Sequence, residues 1–183
     1  MIHLITGGSG SGKSAYAEDW LLARKKSGGC IYVATMEPYG EEGKRRIARH
    51  QALRAGKGFV TRECQRDLEA LEILPNGGIL LECVSNLAAN EFFGRDGTQK
   101  GIQDTTEKIL EGIRHLKRHT ECLVIVTNEV CSDLCRYSAG TEAYRMLLGG
   151  LNQRLCGMAQ RVTEVVYGIP VEIKNDEKIV EQF

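Results

Sequence analysis

The chain has 183 residues, of which 42% are hydrophobic and 26% are charged, and its 24 basic residues balance 24 acidic ones. This composition is typical of a globular protein. The charge balance argues against a nucleic acid or an anionic membrane as a bulk electrostatic partner. No segment has the apolar length needed to cross a bilayer, and the seven cysteines are scattered without a Cys-x-x-Cys pair. We therefore expect one cytoplasmic domain over residues 1–183, with reduced thiols.

Short apolar runs alternate along the chain with helical patterns. The runs predict strands, in chain order, at Ile2–Thr6, Cys30–Thr35, Phe59–Arg62, Ile79–Cys83, Cys122–Thr127 and Thr163–Tyr167. The patterns between them predict helices near Ser14–Ser27, Glu41–Arg54, Arg66–Leu74, Val84–Phe93, Gln103–His119 and Gly140–Arg161. Because several strands are nearly continuous in Val, Ile, Leu and Cys, we expect an α/β fold with a mostly parallel sheet and helices on both faces. Cys83 and Cys122 lie in these runs and should be small core residues.

The first predicted strand leads directly into a glycine-rich turn. The turn satisfies the Gly-x-x-x-x-Gly-Lys-Ser pattern of the P-loop NTPases, with Gly7, Gly8, Ser9, Gly10, Ser11, Gly12, Lys13 and Ser14. Its glycines let backbone N–H groups face phosphate oxygens. We expect Lys13 to reach the β- and γ-phosphates of GTP or ATP, and the Ser14 hydroxyl to bind Mg²⁺. An accidental match is disfavoured, because a strand precedes the motif and a helix follows it.

A phosphate-binding loop of this kind also needs a carboxylate near the metal, at the end of a neighbouring apolar strand. Glu82 follows Ile79-Leu80-Leu81 and is our candidate, and Glu129 follows the next apolar run and is a second one. On sequence alone, a strand-end glutamate that faces solvent is an equally good interpretation of Glu82. The Asn-Lys-x-Asp motif that reads guanine in regulatory GTPases is missing, which disfavours that class.

A basic helical segment lies between the second and third predicted strands. Arg46 lies four residues before His50 and Arg54 four residues after it, while Ile47 and Leu53 lie three away on either side. His50 and its arginines would then face an anionic ligand, and the nearby cations would keep the imidazole neutral and nucleophilic. From spacing alone, an ordinary solvated basic face that contains one histidine is the better interpretation.

Two pairs at helical spacing, His115 with His119 and Cys131 with Cys135, raise the hypothesis of a zinc site. The pairs flank opposite ends of the predicted strand Cys122–Thr127, so they would lie roughly 20 Å apart at about 3.3 Å per residue. Zinc–ligand bonds of roughly 2.0–2.3 Å cannot span that distance. We therefore expect no structural metal held by protein ligands.

Over nearly its whole length, the chain resembles the bifunctional adenosylcobinamide kinase / adenosylcobinamide-phosphate guanylyltransferase family of cobalamin biosynthesis. The motifs that carry the resemblance are Ile5-Thr6-Gly7-Gly8, Ser11-Gly12-Lys13-Ser14, Tyr32-Val33-Ala34-Thr35, Arg46-Ile47-x-x-His50-x-x-x-Arg54, Thr61-x-Glu63, Leu80-Leu81-Glu82-Cys83, Val126-Thr127-Asn128-Glu129-Val130 and Leu151-Asn152-Gln153-Arg154-Leu155. Many families share the phosphate-binding turn, whereas the ordered set with His50 is specific.

The resemblance implies two reactions on one scaffold. A nucleoside triphosphate first phosphorylates the aminopropanol hydroxyl of adenosylcobinamide. The histidine that matches His50 then attacks the α-phosphate of GTP, and the GMP-histidine passes GMP to adenosylcobinamide phosphate, giving adenosylcobinamide-GDP. Lys13 and His50 are thus implied to be catalytic. The resemblance also implies a homo-oligomer, and nucleotide contacts at Ala34, Thr35, Met36, Gln51, Ala52, Leu53, Arg54, Glu63 and Glu82.

One stretch departs from the family pattern. Many relatives have glycine after Asn-Glu-Val, where this chain has Cys131, and the loop Cys131–Tyr137 lacks the expected glycine and proline. The departure concerns the corrinoid side of the site and leaves the nucleotide side intact. Two other functions stay open on the sequence: a P-loop kinase of another small alcohol with a structural His50, and a nucleotide-binding regulatory module with slow turnover.

Overall fold

The computed structural model describes residues 1–25, 28–38, 40–54, 56–130 and 135–176. In the second helix, the side chains at positions 42, 44, 46, 50, 53 and 54 also lie outside the described part. Three predicted site residues, His50, Leu53 and Arg54, are therefore located only by their positions along that helix. Cys131 and the three residues after it, in the loop that differs from the family pattern, also lie outside the described ranges.

The described residues form one seven-stranded sheet in the order β3-β2-β4-β5-β1-β6-β7. The strands are β1 Ile2–Thr6, β2 Cys30–Ala34, β3 Phe59–Glu63, β4 Gly78–Leu81, β5 Leu123–Val126, β6 Arg161–Val166 and β7 Ile169–Asn175. All neighbouring strands are parallel except β7, which pairs antiparallel with β6. The helices are α1 Lys13–Arg24, α2 Gly40–Arg54, α3 Val84–Phe92, α4 Ile102–Arg118 and α5 Ala139–Met158.

Both faces of the central parallel strands are buried under helices, whereas the edge strand β3 is partly exposed. On one face, Leu4 of β1 belongs to a core cluster that includes Leu87 of α3, Leu110 of α4 and Leu151 of α5. On the other face, Ile5 belongs to a second cluster with Ala17 and Leu21 of α1. Successive strand residues thus point to opposite cores, which accounts for the continuous apolar runs. The predicted mostly parallel α/β fold with helices on both faces is confirmed.

The predicted helix Arg66–Leu74 is wrong. Only a short 3-10 turn forms there, at Leu68–Ala70. Asp67 adopts a left-handed φ of 54°, and its N–H donates to a side-chain oxygen of Glu91 at 2.6 Å. The chain therefore turns before a regular helix can start, and it does so through a contact that is remote in sequence.

The C-terminal part of the fold also differs from the prediction. Helix α5 ends at Met158, because Arg161 is already paired with β1 as the first residue of β6. The chain then reverses through Tyr167 and Gly168, with φ of 51° and 81°, into β7, which was not predicted. Two residues with positive φ are typical of a tight hairpin turn. The alternation of Ile169, Val171 and Ile173 after a glycine was the signal for this strand.

Candidate active site at the carboxyl ends of the strands

The phosphate-binding turn follows β1, and its conformation depends on glycine. Gly10 and Gly12 have φ of 73° and 89°, in the left-handed region. A Cβ atom on Gly7 would lie 2.5 Å from the carbonyl oxygen of Val165 in β6. The Gly12 carbonyl accepts the Tyr16 N–H at 3.1 Å, which begins the hydrogen bonding of α1. The turn therefore leads into the N-terminus of α1, where free N–H groups favour a phosphate.

Lys13 is buried as the first residue of α1, and its Nζ donates to the carbonyl oxygen of Gly8 at 2.9 Å. Burial lowers the pKa of Lys13, while a coulombic interaction with Cys83 raises it. In the same turn, Ser11 Oγ is buried without a hydrogen-bond partner in the described part of the chain. The turn thus holds one amino group in place, whereas the Ser11 hydroxyl is covered by the protein.

The hairpin turn between β6 and β7 supports the phosphate-binding turn from outside. The Gly168 N–H donates to the Ser11 carbonyl at 2.8 Å. A Cβ atom on Gly12 would lie 3.4 Å from the Gly168 Cα, so the two turns are in close contact. Since β7 was not predicted, this support was missed by the sequence analysis.

Glu82 follows β4 directly and is buried. Its two carboxylate oxygens accept hydrogen bonds from the Tyr32 hydroxyl and the Thr35 N–H, both at 3.0 Å. The solvent-facing interpretation of Glu82 is therefore wrong, whereas Glu129, the other candidate, is exposed. Because β5 lies between β1 and β4, the Glu82 backbone lies roughly 10 Å across the sheet from the end of β1.

Thr35, one of the predicted nucleotide contacts, is fully buried at the end of β2. Besides the bond to Glu82, its hydroxyl donates to the Cys83 carbonyl at 2.9 Å. Its own carbonyl accepts from the Asn90 amide at 2.9 Å. All three polar groups of Thr35 are thus engaged, two by the segment between β4 and α3 and one by α3 itself. Ala34 is buried beside it, and Met36 is half-buried.

A polar network joins the ends of β4 and β5, and we call it the β4–β5 network. Its members are Cys83, Ser85, Thr127, Asn128 and Asn152. Asn128 donates to Ser85 Oγ and, at 3.5 Å, to Cys83 Sγ. Asn152 accepts from the Thr127 hydroxyl at 2.8 Å and donates to the Asn128 carbonyl at 3.2 Å. Cys83 is therefore a half-buried site residue rather than the core residue predicted, whereas Cys122 is buried as expected.

An open cavity of about 810 Å³ lies beyond the ends of β2 and β3, and we call it the edge cavity. Glu63, a predicted nucleotide contact, is exposed at its wall. Arg66, in the loop after β3, donates from its Nε to Oε1 of Glu37 at 3.1 Å. It also donates to the Phe93 carbonyl at 3.2 Å. These contacts hold the loop after β3 against the loop after β2.

Helix α2 connects β2 to β3 and contains the other predicted contacts. Gln51 and Ala52 are exposed near its end. The side chains of His50, Leu53 and Arg54 lie outside the described part of the chain.

Residues 3–173 match the family described as "Cobinamide kinase / cobinamide phosphate guanyltransferase". The chain belongs to this family. It is 33% identical to the bifunctional adenosylcobalamin biosynthesis protein CobU of Escherichia coli and 31% identical to that of Salmonella typhimurium, covering 95% of this chain and 100% of each relative. It is 28% identical to the bifunctional adenosylcobalamin biosynthesis protein CobP of Pseudomonas aeruginosa, over 96% of this chain and 99% of the relative. The expected family and the expected bifunctional kinase and guanylyltransferase class are confirmed.

Two solved structures share the fold of this cobinamide kinase / guanyltransferase family member. They are the flagellar accessory protein FlaH from Methanocaldococcus jannaschii, with a TM-score of 0.51, and an ATPase of a bacterial type III secretion system, with a TM-score of 0.52. The first is 12% identical and covers 95% of this chain and 78% of its own. The second is 10% identical and covers 93% and 56%. At these identities the likeness concerns the fold alone, and it confirms the P-loop architecture.

Two further findings concern the described residues of this family member. Groups of three or more His, Cys, Asp or Glu side chains with the placement to hold a metal ion are not found there. His115 and His119 instead bond to backbone carbonyls, of Leu71 at 2.8 Å and of His115 at 2.9 Å respectively. Within the same ranges, each helix is too short or too polar to span a membrane.

Proposed function

We propose that this chain carries out both reactions of its family, the phosphorylation of adenosylcobinamide and the transfer of GMP from GTP to adenosylcobinamide phosphate. The observation that carries the proposal is the preformed phosphate-binding turn, with Lys13 held over it and the buried Glu82 at the end of a nearby strand. Such a site needs little rearrangement to receive a triphosphate, which is an advantage because preorganised donors stabilise transition-state charge most effectively.

In the kinase reaction, the substrate hydroxyl attacks the γ-phosphorus, the bond to the β–γ bridging oxygen breaks, and the nucleoside diphosphate leaves. The backbone N–H groups of the turn are the donors available to the phosphate oxygens. Lys13 exchanges its bond to the Gly8 carbonyl for the β- and γ-phosphates, where its charge is matched. The enzyme groups thus bind and orient the triphosphate.

The residues around the turn fit Mg²⁺. Ser14 and Glu82 provide oxygen ligands, which this ion prefers. A carboxylate offers about four acceptor positions, so the two described hydrogen bonds of Glu82 are compatible with a metal nearby. Bound there, the ion would neutralise part of the triphosphate charge. The tie between Glu82 and the Thr35 N–H would place the carboxylate on the nucleotide side of the sheet.

In the guanylyl transfer, a ring nitrogen of His50 attacks the α-phosphorus of GTP, a phosphorus–nitrogen bond forms, and pyrophosphate leaves. A phosphate oxygen of adenosylcobinamide phosphate then attacks the same phosphorus, which breaks that bond, forms adenosylcobinamide-GDP and restores the imidazole. Support for this role comes from the family resemblance and from the position of α2, which follows the end of β2 on the site edge of the sheet.

The experiment is incubation with α-labelled GTP and Mg²⁺, denaturation, and a search for label on the protein. The wild-type chain should be labelled, and His50→Asn should not, because an amide cannot attack phosphorus. His115→Asn is the matched control, since His115 lies on α4 and bonds to a backbone carbonyl. Phosphorylation of adenosylcobinamide should persist in both variants, because the substrate hydroxyl is its nucleophile.

The chemical stability of the adduct identifies the attacking atom. A phosphoramidate is labile to acid and stable to base, so the wild-type label should disappear in acid only. A base-labile adduct would point to a carboxylate such as Glu63, which lines the edge cavity. Absence of any adduct, or full labelling of His50→Asn, would refute the histidine assignment and return the chain to a kinase of a small alcohol.

We also propose that the chain is a single domain that forms a homo-oligomer in the cytoplasm. The single described sheet supports the first part. The hairpin β6–β7 supports the second, because Ile169, Val171 and Ile173 are 66%, 44% and 61% exposed there. Light scattering should give a mass above one chain. Val171→Glu should lower that mass, whereas Val60→Glu, an equally exposed change on the opposite edge strand, should not.

A further inference from the structure

Asn90 on α3 joins two loops of the site through one amide group. It is 8% exposed, and its Nδ2 donates to the Thr35 carbonyl at 2.9 Å and to the Gln65 carbonyl at 3.0 Å. Thr35 follows β2, and Gln65 follows β3. Since an amide nitrogen has two protons, both are used, and the amide fixes the separation of two carbonyls on different loops.

The next residue of α3, Glu91, also binds the loop after β3. Glu91 is 2% exposed, and its Oε1 accepts the Asp67 N–H at 2.6 Å. Its other oxygen accepts from Lys108 of α4 at 2.8 Å. Two consecutive residues of one helix therefore hold the loop after β3, and that helix is itself tied to α4.

The loop after β2 leads towards α2, the helix that connects β2 to β3. Both loops line the edge cavity, with Glu37 and Pro38 from the first and Gln65 and Arg66 from the second. The phosphate-binding turn, in contrast, is held by β1 and the β6–β7 hairpin. A shift of the loop after β2 would therefore displace the start of α2 relative to that turn.

We propose that Asn90 is a positioning residue for the guanylyl transfer: by binding the Thr35 and Gln65 carbonyls, it fixes the loop from which the chain enters α2, the helix that contains His50. The inference rests on the proposed function of His50. Asn90 acts through this loop rather than through the substrate. It should matter less for the kinase step, because the phosphate-binding turn is held by β1 and the β6–β7 hairpin, and Glu82 keeps its bond to the Tyr32 hydroxyl.

The variants change the number of protons that residue 90 can donate to the Thr35 and Gln65 carbonyls. In Asn90→Asp, a carboxylate of nearly the same size faces two carbonyl oxygens and repels both, so the loops should separate. In Asn90→Ser, one donor remains for two acceptors, so the defect should be smaller. Ile113→Val is the control, because Ile113 is buried in the same core on α4 and has no polar group that could bind a loop carbonyl, and such a change costs about 0.5–1.5 kcal/mol.

The experiment compares the rate of GMP-adduct formation at saturating α-labelled GTP with kinase turnover at saturating substrates in the same preparations. Because misplacement of reacting groups by about 1 Å can cost about 100-fold, we expect Asn90→Asp to slow adduct formation about 10- to 100-fold and kinase turnover less than about threefold. Asn90→Ser should lie between Asn90→Asp and the wild type. Ile113→Val should leave the ratio of the two rates unchanged.

The outcomes separate this proposal from the proposed function. If the wild type forms no adduct, the role of His50 fails, and this inference fails with it. If the wild type forms the adduct and the Asn90 variants change both rates together, or match Ile113→Val at equal stability, Asn90 is structural and only this inference is overturned. If Asn90→Asp does not fold, the same ratio in Asn90→Ser decides the question.

Discussion

The phosphate-binding turn and the edge cavity occupy the same side of the sheet but are held together differently. At the end of β1, the backbone itself forms the site: glycines set the path of the turn, and the Gly168 N–H supports it from the adjacent hairpin. At the ends of β2 and β3, side chains from α3 hold the loops, with Asn90 bound to two carbonyls and Glu91 to an N–H. The first region is defined by local sequence, and the second by contacts between distant segments.

This difference has a consequence for a two-reaction enzyme. In the proposed mechanism, both reactions place the triphosphate in the phosphate-binding turn, so a defect there should affect both. The proposed nucleophile on α2 serves the guanylyl transfer alone, so a defect in the loop that leads into α2 should affect mainly that reaction. The β4–β5 network and Glu82 lie between the two regions, since Glu82 contacts both Tyr32 and Thr35 of the β2 segment.

Lys13→Ala should produce the largest effect, and it should fall on both reactions. Removing a donor aimed at transition-state charge typically costs about 10²–10³ in rate. Lys117→Ala is a matched control, because Lys117 also donates to a backbone carbonyl, that of Thr120 at 3.0 Å, but on α4. Kinase turnover and adduct formation should both fall for Lys13→Ala while thermal unfolding still shows a folded chain. Near-normal rates in both assays would remove the phosphate-binding turn from the mechanism.

Glu82→Gln tests the point where the two regions meet. The amide keeps the shape and can donate to the Tyr32 hydroxyl, which also accepts, while its oxygen accepts from the Thr35 N–H, but the negative charge is lost. Since hydrogen bonds to charged groups contribute about 1.5–3 kcal/mol, rates should fall about 10-fold or more. More Mg²⁺ should also be needed for half-maximal activity. An unchanged Mg²⁺ titration would leave Glu82 with its structural role alone, and Glu129→Gln would then be the next variant to titrate.

The sequence predicted the locally determined parts of this molecule well. The turn Gly7–Ser14 is recognisable because the residues that make it are contiguous, and the strands were located because their apolar residues serve two cores. The predicted strand Ile79–Cys83 runs two residues past the end of β4 at Leu81, yet Glu82 directly follows the apolar run and could be selected. Its burial could not be predicted, because it depends on Tyr32 and Thr35 from another strand.

The failures lie where distant contacts or solvent exposure decide the structure. Arg66–Leu74 has a helical pattern, yet the contact between Asp67 and Glu91 turns the chain there. Strand β7 was missed although Ile169, Val171 and Ile173 alternate, because the strand lies at the edge of the sheet and these residues stay exposed. No sequence motif marks Asn90 as a functional residue. Its role depends on two loops that the sheet order brings to α3.

The two regions should also differ in their response to acid, because the β1 side contains a buried histidine. His3 is fully buried beneath α1, with its ring centroid 4.2 Å from that of Trp20 and its Nε2 2.9 Å from the Thr163 hydroxyl. Burial, together with the positive charges of Arg161 and Arg24, lowers the pKa of His3 from 6.5 to about 3. The folded state therefore keeps this imidazole neutral where the unfolded chain would protonate it.

The sign of the resulting pH dependence follows from proton binding. Between pH 6.5 and about 3 the unfolded state binds the proton on His3 and the folded state does not, so stability falls as the pH falls through this range. Relative to pH 7.5, the wild type should lose about 1.4 kcal/mol of unfolding free energy at pH 5.5 through this group. His3→Gln, which keeps a polar group towards Thr163 but does not titrate, should lack that loss. Denaturant unfolding of both chains at the two pH values measures the difference, and carboxylates contribute little there because they titrate near pH 4. Equal losses in the two chains would show that the His3 proton is not coupled to folding, and the β1 side would then be no more acid-sensitive than the edge.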